Sequence, residues 1–511
     1  MSSVTSIGSY AFEGCSSLVR VGNMSNVESI DSNGFVNCSA LEHVDELDKI
    51  TSIGQYAFMG CTALKSIGSL HNLETLEKGA FNSCSALEHV DDLYSLTRLE
   101  SGVFAHCVSL VSVDCSDKLT FIGDNALLNC KLLVSLGDLS SVTAIEYYAF
   151  AGCSSLERLD HLDNLVSLGE GVFGYGTLDY TGCISLKSIG DMPKLESMGQ
   201  KCFVSCTALE TIGDLSSLKE IPYEALDGCT SLVSIGDLSN VESIANEAFS
   251  NCSALEHVDK LDMITSIGQN AFKGCTALKS IGSLRNLETI GQGAFNGCSA
   301  LEHVDDLYSL TRLESDVFSH CVSLISVDCS DKLTAIGSSA FFGCKVLVSI
   351  GDLSNVTSIG DSVFRGCISL KSIGNMPKLE SMWSSCFMGC TALETIGDLS
   401  SLKEIPYEAF DGCTSLVSIG DLSNVTTIGS YGFNQCKKLT SIPNLGSLES
   451  VGQSAFSGCE SLALLGNLRN LTSFGYYSFY KCPNLVLEVL PDSAAEQYAK
   501  NYNMQYTYIT E

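Results

Sequence analysis

The 511-residue chain carries 59 acidic against 28 basic side chains, a formal charge of −31. A surface of that sign repels a polyanion along its length and excludes nucleic acid as a partner. No stretch approaches the roughly 18 uncharged apolar residues of a membrane-spanning helix, and the terminal TYITE carries no lipidation motif.

The sequence opens MSSVTSIGSYAFEGC, inside a pattern that later recurs, with no basic segment followed by an apolar run, so no secretory leader is expected. This first unit, ending at Cys15, lacks the CxxL half of its successors. Nothing in its first residues is polar and helical enough to shield a core. The edge is expected to fray or to be covered by a partner, and end-to-end self-association at this uncapped N-terminus is one way to cover it.

The run from Cys61 to Phe81 reads CxxLxxIxxLxxLxxLxxxxF and is closed by Cys84. Cysteines recur at 15, 38, 61, 84, 107, 130 and 153 and then from 183 to 482, always 23 residues apart except for one 30-residue interval, marking 21 coils. A fixed period of that length signals a solenoid, so the chain is one array and not several globular domains. Leu64, Ile67, Leu70, Leu73 and Leu76 are spaced by three, which is neither the period of about 3.6 of an amphipathic helix nor that of about 2 of a long strand. One such coil has no core of its own. Stacked about 4.8 Å apart as parallel strands, each apolar residue meets its own copy above and below, and the array would be elongated, spanning roughly 100 Å. The segments CTALKSI and NLETL are predicted short strands, with tight bends at Gly68 and its equivalents. SIGQYAFMGC is predicted to form one short helical or 3₁₀ turn that seats Phe58 in the core. Leucine replaces phenylalanine in that slot at Leu127 and Leu226, which marks the slot as core.

From Ala40 the chain runs ALEHVDELDKITSIGQYAF, and from Ala254 it runs ALEHVDKLDMITSIGQNAF, an offset of 214 residues. The near-identity makes an internal duplication, about 38–251 and 252–435, within an array covering 1–490. The first copy holds one extra coil, after which the offset falls to 184. That coil breaks the period: Phe173 is followed by GYGTLDYTGC, a glycine-rich loop carrying Tyr175 and Tyr180, which is a candidate contact site or a tolerated bulge.

The residue four after each cysteine should project outward. Down the first copy it reads Glu42, Lys65, Glu88, Val111, Val134, Glu157, Lys187, Glu210, and down the second Glu256, Lys279, Glu302, Ile325, Val348, Lys371, Glu394. Alternating charge on neighbouring strands is a structural stripe first. Its apolar breaks, Val111 with Val134 and Ile325 with Val348, form two outward patches rimmed by charge, as a protein-binding site would.

No motif marks catalysis, a cofactor or a metal. His43, His89, His257 and His303 share the phrase LEHV, but the members of each pair lie two coils apart, too far to ligate one ion. The GxG at Gly174 lacks a strand-to-helix context. Ser319, His320 and Asp316 occur together without a nucleophile turn. A core of Leu, Ile, Phe and Cys is expected to leave no cavity of catalytic size. Of 25 cysteines, 21 lie at the ladder position, where the thiol packs as a small apolar group. In-register side chains point the same way, which disfavours disulfide torsions, so reduced and buried thiols are expected, and Cys115, Cys202, Cys329 and Cys386, outside the ladder, are the better candidates for reactive thiols, although a structural role is the stronger reading even for them. Six sequons, among them Asn37 and Asn251 directly before core cysteines, are weak evidence of secretion. The tail, 491–511, is predicted to cap the array: Asp492 and Ser493 can cap a helix over Ala494 to Asn501, and MQYTYI can pair back on the last coil.

CTALKSIGSLRNLETIGQGAFNGC, with its AFxxC ending, resembles the BspA-type, or treponemal-type, leucine-rich repeat of bacterial and trichomonad surface proteins, over about residues 1–490. The resemblance implies a curved leucine-rich-repeat solenoid of the α/β type and a non-enzymatic surface adhesin or host-interaction protein. The sequence departs from the family where its usual proline is replaced by GDL or GSL. The missing leader and reduced cysteines point instead to the cytoplasm, and to an intracellular scaffold or cytoskeleton-associated protein. The identity of the protein partner is not legible.

Overall fold

The computed structural model describes residues 3–174 and 182–509, and it comprises two compact units, Met1–Met263 and Ile264–Glu511. Each unit is a β-solenoid whose coils carry two short parallel strands. In the coil from Cys61 these are Ser66–Ile67 and Thr75–Leu76. Ile67 stands opposite Val44 of the preceding coil, and Leu76 opposite Ile53. Such pairing superimposes equivalent residues, so an apolar position in one coil becomes an interior ladder. The predicted strands and core thus hold.

The predicted helical turn does not. Among the described residues the single α-helix is Ala494–Asn501. Between Gly54 and Cys61 the backbone alternates. The N–H groups of Ala57, Met59 and Cys61 donate three residues back, to Gly54, Tyr56 and Phe58, while those of Tyr56, Phe58 and Gly60 donate to Lys78, Ala80 and Asn82 of the next coil. A 3₁₀ segment would consume every donor within the coil. Here half of them join coils, and left-handed residues such as Tyr56 (φ 57°) and Gly60 (φ 73°) turn the chain between the two kinds of bond.

The phenylalanines stack down the interior. In the first unit ring centroids from Phe12 through Phe35, Phe58 and Phe81 to Phe104 are 4.9 to 5.6 Å apart, and the stack resumes from Phe150 to Phe203. In the second unit it is continuous from Phe272 to Phe479. Beside it the ladder thiols donate to the carbonyl of the core residue in the preceding coil: Cys61 Sγ lies 3.2 Å from Phe35 O and Cys321 Sγ 3.1 Å from Phe295 O, and where leucine takes the slot Cys153 Sγ lies 3.3 Å from Leu127 O. The cysteine is therefore a small apolar residue that also satisfies a buried acceptor.

Outside the ladder the cysteines are structural too. Cys115, Cys202, Cys329 and Cys386 are all buried. Cys202 and Cys386 occupy the small slot that alanine fills beside most core phenylalanines. Cys115 and Cys329 sit opposite Leu93 and Leu307, filling the leucine slot of their coils. Burial pushes both thiols up to about 12. It is the ladder ends that open: Cys15 is exposed and Cys482 half-buried. The first coil nonetheless keeps its bonds, Phe12 N–H donating to Gly34 O and Gly14 N–H to Val36 O, both at 2.8 Å.

At the end of the second unit the helix Ala494–Asn501 is capped by Ser493, whose side chain accepts from Glu496 N–H. Strand Gln505–Tyr508 pairs in parallel with Val486–Val489.

Candidate interaction surface

The residue four after each cysteine immediately precedes the first strand of its coil, and its backbone is locked to its copies. Val111 N–H donates to Glu88 O (2.8 Å) and Val134 N–H to Val111 O (2.9 Å); in the second unit Ile325 N–H donates to Glu302 O (2.8 Å) and Val348 N–H to Ile325 O (2.9 Å). The structure brings together each pair that the sequence singles out. Val134, Ile325 and Val348 are 39 to 50% exposed, and Val111 is half-buried. Tyr175 and Tyr180 lie outside the described residues.

Charge frames the first patch. Lys65 Nζ is 3.3 Å from Glu42 Oε2 on one side and Lys187 Nζ 3.0 Å from Glu157 Oε2 on the other. All four side chains are exposed, so these pairs contribute little stability, and they serve as a polar rim.

The sheet itself changes at the patches. Elsewhere most strands have two residues, but here His89–Leu93 pairs with Ser112–Cys115, and His303–Leu307 with Ser326–Cys329. Five residues oppose four, giving a bulge between Val90 and Leu93 and again between Val304 and Leu307. The extra residues, Asp92 and Asp306, are left-handed at φ 65° and 66°. Each bulge delivers an exposed tyrosine to the same edge: Tyr94 donates to Asp114 Oδ2 (2.7 Å) and Tyr308 to Asp328 Oδ2 (2.9 Å). Those carboxylates push both phenols up to about 12, keeping them neutral donors.

Several surface residues escape the sequence reading. Leu132 and Val346, 50% and 40% exposed, widen the patches. Their signal lies two residues after each cysteine, where coils from Cys38 to Cys413 carry alanine or serine except at these two positions. Val233 and Val417 are further exposed apolar breaks in the charged stripe. Outside the core, a cleft of about 720 Å³ lies between the last coil and the terminal segment, lined by Tyr476, Tyr480, Tyr498 and Tyr502 among others. It forms because the helix leans on Phe474 and Phe479 through Tyr498 and does not continue the stack. Among the described residues no cluster of His, Cys, Asp and Glu could hold a metal ion, and no helix is long and apolar enough to cross a membrane.

Stacked parallel coils with a patterned outer face define a leucine-rich-repeat solenoid, a fold suited to protein binding. The chain matches the BspA type leucine rich repeat region over residues 1–107, 93–181, 176–279, 265–394 and 380–503, and it belongs to that family. A leucine-rich repeat protein from Bacteroides ovatus is 26% identical with a TM-score of 0.58, covering 69% of this chain and 92% of its own. A leucine rich cell surface protein from Faecalibacterium prausnitzii is 25% identical over 77% of this chain and 83% of its own, with a TM-score of 0.29. A leucine-rich repeat protein from Eubacterium ventriosum is 18% identical over 73% and 83%, with a TM-score of 0.36. No curated protein matches significantly.

Proposed function

We propose that the chain is a non-enzymatic binding solenoid that works at a cell surface, as an adhesin or host-interaction protein. The observation that carries the binding role is the twice-built patch. Val111, Leu132 and Val134 in one unit, and Ile325, Val346 and Val348 in the other, stand on hydrogen-bonded neighbouring coils beside a bulge and an exposed tyrosine. Apolar residues with a tyrosine and a charged rim have the composition of an interface centre.

Placement at the surface rests on resemblance to the surface proteins of the family. The intracellular scaffold reading leaned in part on the cysteines, and their burial weakens that part. Thiols enclosed in the ladder, with pKa raised by burial, need no reducing compartment to stay unoxidised. Protease shaving of intact source cells, with permeabilised cells as control, tests the placement. Cleavage on intact cells is the expected result. Protection until permeabilisation would move the protein, and its partner, inside the cell.

A further inference from the structure

Neighbouring coils are joined through the turn around the core aromatic. Three N–H groups make the joint, that of the aromatic and those of the residues two before and two after it. Ser454, Phe456 and Gly458 donate to Tyr476 O (2.9 Å), Ser478 O (2.8 Å) and Tyr480 O (2.8 Å). One coil further on, Tyr477, Phe479 and Lys481 carry the same three donors, and no described residue accepts from them. The terminal segment covers other parts of this coil. Strand Gln505–Tyr508 extends the column of first strands, and Tyr498 of the helix lies edge-on to Phe479, with ring centroids 5.8 Å apart. The 720 Å³ cleft lies over the open turn, lined by Tyr477, Phe479 and Lys481 on one side and by Tyr498, Tyr502 and Met504 on the other.

The coils themselves show what such an edge accepts. On the equivalent donors of Asn270, Phe272 and Gly274 the next turn places the carbonyls of Gln292, Ala294 and Asn296, at 2.8 to 2.9 Å. Gly293 and Gly297 of that turn are left-handed, at φ 63° and 76°, a conformation that glycine adopts without steric cost. A chain that takes the place of one further turn therefore needs glycine at two positions four apart. Between them the residue over Phe479 must be small, because Tyr498 already fills that space and leaves Phe479 only 7% exposed. The lining agrees with a backbone ligand rich in acceptors. It holds the three donors and Lys481 and no carboxylate among the described residues, and the exposed rings of Tyr477, Tyr480 and Tyr502 flank it.

We propose that the open turn of the last coil binds a segment of a partner protein with glycines four apart and small residues between them, added by its backbone as one further turn. The site shares no residue with either apolar patch, so the two readings can fail independently.

The probe is the peptide Gly-Gln-Gly-Ala-Ala-Asn-Gly-Ser, the turn over 291–298 with alanine for its phenylalanine and serine for its cysteine. In hydrogen exchange of the full chain, read by mass spectrometry, the amides of Tyr477, Phe479 and Lys481 should exchange faster than those of Ser454, Phe456 and Gly458. Saturating peptide should slow them by about ten-fold or more. A peptide with valine at its third and seventh positions should leave them fast, since a β-branched residue resists left-handed backbone, whereas D-alanine there should protect as well as glycine does. By fluorescence polarisation of the labelled peptide, Tyr480→Ala and Tyr502→Ala should each weaken binding by about five-fold or more, and Tyr10→Ala, a distant exposed ring, should leave it unchanged. Amides that stay fast at saturating peptide, equal protection by the valine peptide, or undiminished binding by both cleft variants overturns the proposal. Equal protection by cellohexaose also overturns it, and makes the cleft a saccharide site.

Discussion

In the first unit the phenylalanine stack is cut twice, at Leu127 and Leu226, whereas in the second it runs unbroken from Phe272 to Phe479. The coils do not register the cuts. Leu127 and Leu226 are as completely buried as the rings they replace, and Leu127 N–H still donates to Ala149 O (2.9 Å) while Leu226 N–H donates to Ala248 O (2.8 Å). The slot selects apolar volume. Burying a side chain there is worth about 1.5 to 3 kcal/mol, against about 0.5 to 1.5 kcal/mol for ring on ring. Stacking adds to a position that burial already secures.

Reactivity gives the widest contrast, between the ends of the cysteine ladder and its interior. Burial pushes the Cys61 thiol up to about 12 from 9.0, roughly a thousand-fold less thiolate at neutral pH. Cys482, half-buried, is held below its usual value by a hydrogen bond with Cys459, and Cys15 is exposed. Iodoacetamide on the native protein, read by peptide mass spectrometry, should mark Cys15 and Cys482 and spare Cys61, Cys115 and Cys329. Interior labelling at a similar rate would mean that the coils open far more readily than the closed ladder implies.

Core truncation tests the stack comparison itself. Phe295→Ala, in the unbroken stack, should cost about 3 to 5 kcal/mol in urea unfolding. Leu127→Phe, which would heal a cut in the first unit, should change stability by no more than about 1.5 kcal/mol, gaining if the ring fits and losing if it overpacks. A healed cut that stabilised as strongly as Phe295→Ala destabilises would mean that ring stacking, and not burial, chiefly holds the slot.

A smaller effect separates the terminal segment from the coils. Glu496, 3% exposed, accepts from Lys500 Nζ at 2.7 Å, Tyr508 OH at 2.7 Å and Asp492 N–H at 2.8 Å, and Lys500 foremost holds its carboxyl at about 2 against 4.5. The folded value lies below the unfolded one. The stabilisation is therefore complete above the unfolded value and drains away as pH falls toward the folded one. Tyrosine near-ultraviolet circular dichroism of the cap should change between about 4.5 and 2, and Glu496→Gln should flatten that transition.

Much of the fold is legible because a repeat states each rule many times. The threefold spacing of Leu64, Ile67 and Leu70 and the recurring AFxxC fix which residues face inward, and in-register stacking does the rest. The turn after Gly54 is not legible in that way: whether an N–H bonds within its coil or to the next depends on the left-handed backbone of a residue as ordinary as Tyr56. Cys115 misleads for a related reason. It lies outside the ladder in sequence, and only the bulge that sets it opposite Leu93 reveals a core position. At the surface, Val134 and Val348 show as breaks in a charged column, and Leu132 and Val346 show only when a second column is read. Trp383 replaces Gly199 of the first copy. That exchange is visible in one line of sequence.

The smallest expected effect on stability decides the assignment of faces. Ile325→Asp removes an exposed side chain and leaves the bonds from Ile325 N–H to Glu302 O and from Val348 N–H to Ile325 O intact, so the unfolding free energy should move by no more than about 0.5 kcal/mol. The sign is set by the neighbour. Glu302 stands directly below in the ladder, and like charges on adjacent strands repel by a few tenths of a kcal/mol, roughly. Ile325→Lys meets the same glutamate with opposite charge and should be neutral or slightly stabilising, while removing the apolar patch just as fully. Urea unfolding of the two variants separates fold from patch. If both lost as much stability as Phe295→Ala, Ile325 would be a core residue, and the patch would not be a surface for any partner.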